Sequence, residues 1–529
     1  LTYRSLFAAS PVLFADQYAL TMAAADFAAG QTERQSVFQV FFRDLIPNGF
    51  KDSDGRDLRI PYLVAAGLGP FFEWFDAWRV ADADAAYLAS LKGGDGDRLF
   101  SDPFLRFLQA TKFKIDIDAF PEGELVFPDE PLVRLSGPHW QIQLLEAALL
   151  NAITAHTGWA TVASQFWLAS QRLDKKAKLS EFGARRTPEW GGLGTARSSY
   201  LAGWDGTSNL YAGEVYGIPT AGTMAHSFVM VRESEIEAFA LWARHMPQLC
   251  VFLVDTYDTA EGVLNAIKVA KKTGVKLRGV RIDSGDIDYL SRMSREALDA
   301  AGFYDAAVMA SDGLTLTAIH QAFQTKNAPL DAFGIGGSYV SRRQDSAGVA
   351  AVMKVAATDG RDVMKYSDSP EKATLPGVLD VIRYEETDED GQTFFAGDTI
   401  LPLGAEVGAS HLTREVLSVG NRFSTRVKPF PEGASFYRPV VPVMRDGQHL
   451  IPSMVAKDAK NVLSEARARF FVSMAKLRSE HKQIISPRLY IAGVEEGLMQ
   501  VKNEKLREKE VVAQRSLQAK RFGRTKGKK

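Results

Sequence analysis

Residues 250–286 read CVFLVDTYDTAEGVLNAIKVAKKTGVKLRGVRIDSGD. An apolar run over 250–254 stops at Asp255-Thr256-Tyr257-Asp258, a helical pattern fills 260–273, and a second apolar run over 277–282 stops at Asp283-Ser284-Gly285-Asp286. Strand, crossover helix and strand at this spacing make a βα unit with parallel strands. The pattern extends both ways, with strand-like runs at 220–230, 306–310, 332–335 and 350–356 and helical patterns at 233–244, 287–301 and 315–324. Two later runs also end in polar or glycine residues, Ser311-Asp312-Gly313 and Gly336-Gly337-Ser338. A doubly wound sheet gathers ligands at one switch point, whereas a barrel surrounds one site with successive C-terminal strand ends. The sequence therefore predicts an α/β fold with an irregular, TIM-like barrel as catalytic domain over 156–372.

Outside this region the pattern changes. Residues 1–155 mix helical stretches (37–45, 63–78 and 140–155) with strand-like pieces at 124–127 and 131–135, as an α+β N-terminal domain would. A strand- and turn-rich stretch, 373–442 within a segment running to 455, is expected to return and complete that domain. Residues 456–529 are expected to form a C-terminal helical region, with an amphipathic helix over 456–483 and a basic tail over 497–529. A solvated helix face accounts for the tail's charge more simply than nucleic-acid contact does.

At 529 residues the chain suggests two or three domains. A formal net charge of -1 argues against a chain-wide nucleic-acid or membrane-surface role. The one cysteine, Cys250, sits in an apolar run, so no disulfide or cysteine-rich zinc site forms within one chain. No uninterrupted apolar stretch approaches a bilayer's thickness. Near the N-terminus, Arg4 followed by SLFAASPVLFA imitates a signal peptide, but Pro11 and Asp16 interrupt it. The expectation is mature protein in a reducing cytoplasm.

The strand ends carry the chemistry. Arg281 and Asp283 stand two residues apart, hence on one side of a strand end. Arginine suits bidentate recognition of a carboxylate or phosphate. Asp283 suits sugar hydroxyls or Mg²⁺; a plain structural ion pair is the competing reading. Glycine turns at Gly313, Gly336 and Gly337 let a phosphate approach backbone N–H groups. Gly206-Thr207-Ser208-Asn209 reads as a turn into a short helix capped by Thr207 or Ser208 and ended by Gly217-Ile218-Pro219. An apolar strand then leads to Thr223-Met224-Ala225-His226, placing a histidine able to act as acid, base or nucleophile at a strand end. Glu181-Phe182-Gly183-Ala184-Arg185-Arg186 offers an aromatic face beside two guanidinium groups, fit for a flat anionic ring or simply for packing. Together these features favour a phosphorylated sugar substrate.

In order along the chain, these motifs resemble the nicotinate phosphoribosyltransferases, a type II phosphoribosyltransferase family. The resemblance also takes in Asp16-Gln17-Tyr18-Ala19-Leu20-Thr21-Met22, Phe41-Phe42-Arg43, Val64-Ala65-Ala66-Gly67-Leu68, Leu145-Glu146-Ala147-Ala148-Leu149-Leu150-Asn151, Phe333-Gly334-Ile335-Gly336 and Lys365-Tyr366-Ser367. It implies that nicotinate and phosphoribosyl pyrophosphate become nicotinate mononucleotide and pyrophosphate in NAD biosynthesis, with Mg²⁺ and driven by ATP hydrolysis. It also implies a homodimer with shared active sites. Carried over, Phe182 and the partner's Tyr18 sandwich the pyridine ring, while Arg281 and Thr223 face its carboxylate. Asp283 meets the ribose hydroxyls, and Gly313, Gly336 and Gly337 the 5′-phosphate. Arg185 and Lys354 contact phosphate or pyrophosphate, Asp255 and Asp283 hold Mg²⁺, and ATP phosphorylates His226. The chain departs from the family at Gly337, where threonine is common. The nicotinamide-specific relatives carry aspartate where this chain has Ser208, which adds no charge against a nicotinate carboxylate. A different barrel enzyme on sugar phosphates would need a strand-end lysine, for which Lys354 is the candidate. A binding scaffold fits only the residues after 500.

Overall fold

The computed structural model of the protein describes residues 10–51, 55–187, 191–311, 313–340, 351–367, 373–407, 411–416, 423–430, 435–450 and 459–509. Asp312, the tail beyond 509, and the first residues of the runs expected at 350 and 456 lie outside them. In chain order the first part contains α1 (Gln17–Ala28), β1 (Gln35–Phe42), β2 (Asp116–Ala119), β3 (Val133–Pro138) and α2 (His139–Ala169). The middle part contains β4 (Lys178–Glu181), α3 (Gly191–Leu201), β5 (Gly206–Thr207), α4 (His226–Met230), β6 (Val251–Leu253), β7 (Gly279–Ile282), β8 (Ala307–Ser311) and β9 (Ala332–Ile335). After these come β10 (Ala351–Thr358), β11 (Leu379–Thr387), β12 (Thr393–Pro402), β13 (Val441–Arg445), α5 (Ala459–Lys476) and β14 (Ala492–Glu495).

The middle strands form one six-stranded sheet in the order β6-β7-β8-β9-β4-β5, every pair parallel. Helices Glu235–His245, Thr259–Thr273 and Ile287–Ala300 occur where the apolar periodicity put them. Asp258 and Asp286 cap the last two, each accepting a backbone N–H in the first turn. Because the strands run in one direction, their C-terminal ends share an edge, and the polar residues that end them are brought together there.

A second, seven-stranded sheet contains β10-β1-β3-β2-β13 as successive neighbours. The 31-residue α2 packs against β1, β3, β10 and α3, and most of its residues are buried. Three sequence expectations change here. Residues 37–45 are not helical but lie largely in β1, because Val37-Phe38-Gln39-Val40-Phe41-Phe42 is β-branched and aromatic and almost wholly buried in the sheet's centre. The run 350–356 does not extend the parallel sheet; β10 pairs antiparallel with β1. Of the stretch 63–78, Leu63–Val64 is a short strand and only Leu68–Asp76 is helix.

The later segment divides its strands. β13 joins β2 in the seven-stranded sheet, while β11 and β12 build a third sheet that also takes in β14 from beyond α5. The C-terminal region is thus helix plus an inserted strand rather than helix alone. Buried Arg383 ties this sheet to the first part of the chain, donating to Asp398 and to the Leu125 carbonyl at 2.8 Å, and Tyr490 donates to the same aspartate at 2.8 Å. A second buried pair, Arg197 with Glu122 at 2.6 Å, locks α3 to the loop at Gly67, whose N–H also donates to Glu122. Removing one member of either pair would strand a buried charge. Among the described residues no helix is long and apolar enough to cross a membrane.

Candidate active site

Arg281 leaves the C-terminal end of β7 and is held in three directions. Its Nη2 donates to Asp283 Oδ1 at 2.5 Å, its Nε to Ser311 Oγ at the end of β8 at 2.7 Å, and its Nη1 to Thr223 Oγ1 at 2.9 Å. The Ser311 hydroxyl in turn donates to Asp283 Oδ1. Burial pushes the Asp283 carboxyl up, but the Ser311 hydrogen bond and the Arg281 guanidinium outweigh it, with help from His226, and hold it below the usual carboxylate range. The pair is a fixed, charged, planar fork rather than a mobile surface ion pair.

Phe182 follows β4, and its ring packs closely against Gly334 of β9. A β-carbon at Gly334 would sit 2.6 Å from Phe182 Cδ2, so the missing side chain is what lets the ring settle there. The Arg281 guanidinium carbon is 5.8 Å from the ring centroid, which places an aromatic face and a cation around one gap. Phe182, Arg185, Arg186, Ser208, Thr223, His226, Arg281, Asp283, Ser311, Gly313, Gly336, Gly337 and Ser338 line a single cavity. The cavity is open to solvent, and with its mouth the space between these residues is about 970 Å³. Three arginines against one aspartate give it a positive balance suited to anions.

His226 reaches this cavity by another route than expected. The run 220–230 is not a strand; Thr220 makes an isolated bridge to Thr207 and His226 opens the five-residue α4. Its Nδ1 lies 3.2 Å from Thr256 Oγ1 and its Nε2 3.6 Å from Asp283 Oδ2. Thr207 likewise does not cap the next helix, since it belongs to β5; Asn209 caps it by accepting from Ala212 N–H.

Three residues singled out in the sequence stand apart from the cavity. Asp255 is not among the lining residues but adjoins Asp283, its Oδ2 accepting the Asp283 N–H at 3.1 Å and the Ser284 hydroxyl at 2.5 Å. Tyr18 of α1 donates to Glu146 at 2.8 Å and is half-exposed. Lys354 is carried by β10, away from the parallel strand ends, which removes the lysine a Schiff-base barrel enzyme would need. Burial lowers the Lys354 pKa; Glu146 opposes that shift, and Arg43 and Lys365 add to it. Nε and Nη2 of Arg43 are buried with no hydrogen-bond partner among the described residues. Tyr18, Glu146, Arg43, Lys354 and Lys365 therefore form a second, cationic group beside the seven-stranded sheet. Among the described residues no cluster of three or more His, Cys, Asp or Glu is placed to hold a metal. Ser311 at the end of β8 and Thr256 just after β6 are contacts that the sequence marks only by their strand-end positions, whereas Arg186 belongs to the pair of guanidinium groups expected beside Phe182.

A parallel sheet whose strand ends bring together an aromatic ring, a fixed guanidinium and glycine turns is an α/β arrangement suited to a planar anion and a sugar phosphate. Comparison with known proteins is specific on this point. Residues 13–154 match the family model for the nicotinate phosphoribosyltransferase N-terminal domain, and residues 177–400 match the model for the nicotinate phosphoribosyltransferase family. A nicotinate phosphoribosyltransferase of Mycobacterium tuberculosis is 38% identical over 78% of this chain and 82% of its own length. One of Bacillus subtilis is 36% identical over 70% and 72%. The crystal structure of human nicotinic acid phosphoribosyltransferase superposes with a TM-score of 0.72 at 25% identity, covering 93% of this chain and 99% of that one. The chain belongs to the nicotinate phosphoribosyltransferase family.

The geometry makes Gly334 a test of the ring platform. In Gly334→Ala the new methyl group would displace the Phe182 ring. Phosphoribosyl transfer to nicotinate is expected to fall by about two orders of magnitude, with an unchanged circular dichroism spectrum. Full activity would mean that the ring is bound elsewhere.

Proposed function

We propose that this cavity joins nicotinate to phosphoribosyl pyrophosphate, releasing nicotinate mononucleotide and pyrophosphate for NAD biosynthesis. The observation that carries the reading is the Arg281 fork, fixed by Asp283, Ser311 and Thr223 beside the Phe182 ring. Nicotinate lies on Phe182 with its carboxylate toward Arg281 and Thr223. Ser208 on the cavity rim adds no charge to repel it, which favours the acid over nicotinamide. Ribose hydroxyls donate to the ionised Asp283, and backbone N–H groups at Gly313, Gly336 and Gly337 take the 5′-phosphate. The pyridine nitrogen forms its bond to the ribose C1 as the C1–O bond to pyrophosphate breaks. Arg185 meets the charge on the departing group, and Asp283 faces the positive charge that develops on the sugar.

Asp255 and Asp283 would hold Mg²⁺. Asp255 Oδ1 is buried with no hydrogen-bond partner among the described residues, and carboxylate oxygens are suitable hard donors. When bound, the cation would neutralise pyrophosphate charge. His226 would take the γ-phosphoryl group of ATP on Nε2, the nitrogen turned toward Asp283, as the bond to the β–γ bridging oxygen breaks and ADP leaves; the Thr256 contact at Nδ1 fixes the ring. Mixing the protein with nicotinate, phosphoribosyl pyrophosphate and Mg²⁺, with and without ATP, and assaying nicotinate mononucleotide tests the reaction. No product under either condition would remove this reading.

The remaining elements support a shared site in a homodimer. Tyr18 and Lys354 lie off the cavity of their own chain, and the unpartnered guanidinium N–H groups of Arg43 fit an anion such as pyrophosphate. A second copy would bring this group over the cavity, with Tyr18 closing on the pyridine ring. The six parallel strands fit an irregular barrel whose wall continues through the Thr207–Thr220 bridge. The domain proposal of 1–155, 156–372 and 456–529 is kept with α2 crossing the first boundary and β10 lending a strand to the first part; of 373–455, β13 returns to the first part's sheet while β11 and β12 build the third sheet. The single buried thiol is consistent with cytoplasmic residence.

Two outcomes follow. His226→Ala is expected to lose ATP hydrolysis and ATP stimulation while retaining slow ATP-independent synthesis. Acid-labile, base-stable phosphate should appear only on the unmodified protein. ATP hydrolysis still in step with product in the variant would exclude His226 as carrier. Separately, Tyr18→Ala and Asp283→Ala proteins, each nearly inactive, should regain partial activity when unfolded and refolded together. No recovery despite measured subunit exchange would mean that each chain builds its site alone.

A further inference from the structure

Glu181 is the last residue of β4 and is fully buried. Its strand lies between β9 and β5, with Glu181 opposite Ile335 on one side and Thr207 on the other. The chain then continues into Phe182, one wall of the ring gap, while Thr207 continues into Ser208 on the rim. The backbone already joins these segments, since Phe182 N–H donates to the Ile335 carbonyl at 2.8 Å and Ser208 N–H to the Glu181 carbonyl at 2.9 Å.

The side chain adds a second set of ties. Oε1 accepts from the Gly183 N–H at 2.6 Å and from Thr195 Oγ1 of α3 at 3.3 Å. Oε2 accepts from Thr207 Oγ1 at 2.8 Å, and that hydroxyl accepts from the Asn209 N–H at 3.1 Å. Gly183 is required by this arrangement, because a β-carbon there would lie 2.7 Å from Glu181 Oε1 and 2.6 Å from Val340 Cγ2. Burial pushes the Glu181 carboxyl up, while hydrogen bonds from Thr207, Gly183 and Thr195 act in the opposite direction. No salt bridge to it is found among the described residues. A buried carboxyl without a counter-charge is costly for a core to keep, and every side-chain donor it meets lies on a segment that shapes or backs the cavity.

We infer that Glu181 is a positioning residue for the nicotinate gap, tying the Phe182 wall to the Thr207–Ser208 wall so that the gap keeps one width. The inference rests on the reaction proposed above. It concerns a residue that touches neither substrate, so its loss should be read mainly in nicotinate binding and much less in phosphoribosyl pyrophosphate binding.

Glu181→Gln isolates one tie. The amide oxygen can still accept from Gly183 and Thr195, but the amide NH₂ presents a donor where Oε2 accepted, so the Thr207 hydroxyl proton loses its partner and a charge-assisted bond becomes at best a reversed, neutral one. Thr207→Val breaks the same tie from the other side with little change of shape. Steady-state kinetics on both variants and the double variant should show KM for nicotinate raised about ten- to hundred-fold. KM for phosphoribosyl pyrophosphate should stay within about twofold, and the double variant should be no worse than the weaker single. If Glu181→Gln does not fold, Thr207→Val alone must show the selective rise. A fall in melting temperature or kcat with both KM values unchanged would make Glu181 merely structural and overturn the inference. Absence of nicotinate mononucleotide from the unmodified protein would instead remove the reaction, and this inference with it.

Discussion

The three-way grip on Arg281 is the constraint on which the site depends. A guanidinium at a strand end normally samples solvent, but here Asp283, Ser311 and Thr223 fix it, and each comes from a different stretch of chain. Ser311 reaches it only because β8 lies beside β7 in parallel register, with Met309 opposite Arg281. Thr223 reaches it only because the segment after β5 folds back over the strand ends. The parallel sheet is therefore the device that presents one rigid, directional cation to the cavity. A flexible ammonium would lack that fork geometry.

Around the fork the fold spends its irregular features on close approach. Gly334 lets the Phe182 ring lie against β9, and Gly183 lets a buried carboxylate reach the backbone behind that ring. Buried pairs at Arg197–Glu122 and Arg383–Asp398 hold the surrounding layers in place without touching the cavity. Rigidity at this edge is consistent with a reaction that depends on orienting two anionic molecules before a bond forms.

The cavity was largely legible in the sequence because parallel strands turn sequence order into spatial adjacency. Residues such as Asp283, Ser311 and Gly336 follow strands and must meet at one edge. Legibility ended where tertiary context decides. The aromatic, β-branched run at Val37–Phe42 has a spacing that also fits a helix, and only its place in a sheet buried on both faces makes it a strand. Strand 351–358 looked like a further repeat of the same unit, yet it pairs with β1, a partner more than 300 residues away in sequence. His226 follows an extended stretch, and its short helix depends on contacts that no local pattern records. Glu181 gave no signal, since a glutamate after Lys178-Leu179-Ser180 reads as solvent-facing until its burial is known.

The central claim, that the Arg281 fork recognises a carboxylate, is tested most directly by kcat/KM for nicotinate and nicotinamide in the unmodified protein and in Arg281→Ala. The account predicts strong preference for the acid in the unmodified protein. In the variant, nicotinate should lose about 2–5 kcal/mol of transition-state binding, with nicotinamide turnover little changed. Equal use of acid and amide by the unmodified protein, or an undiminished preference in Arg281→Ala, would contradict it.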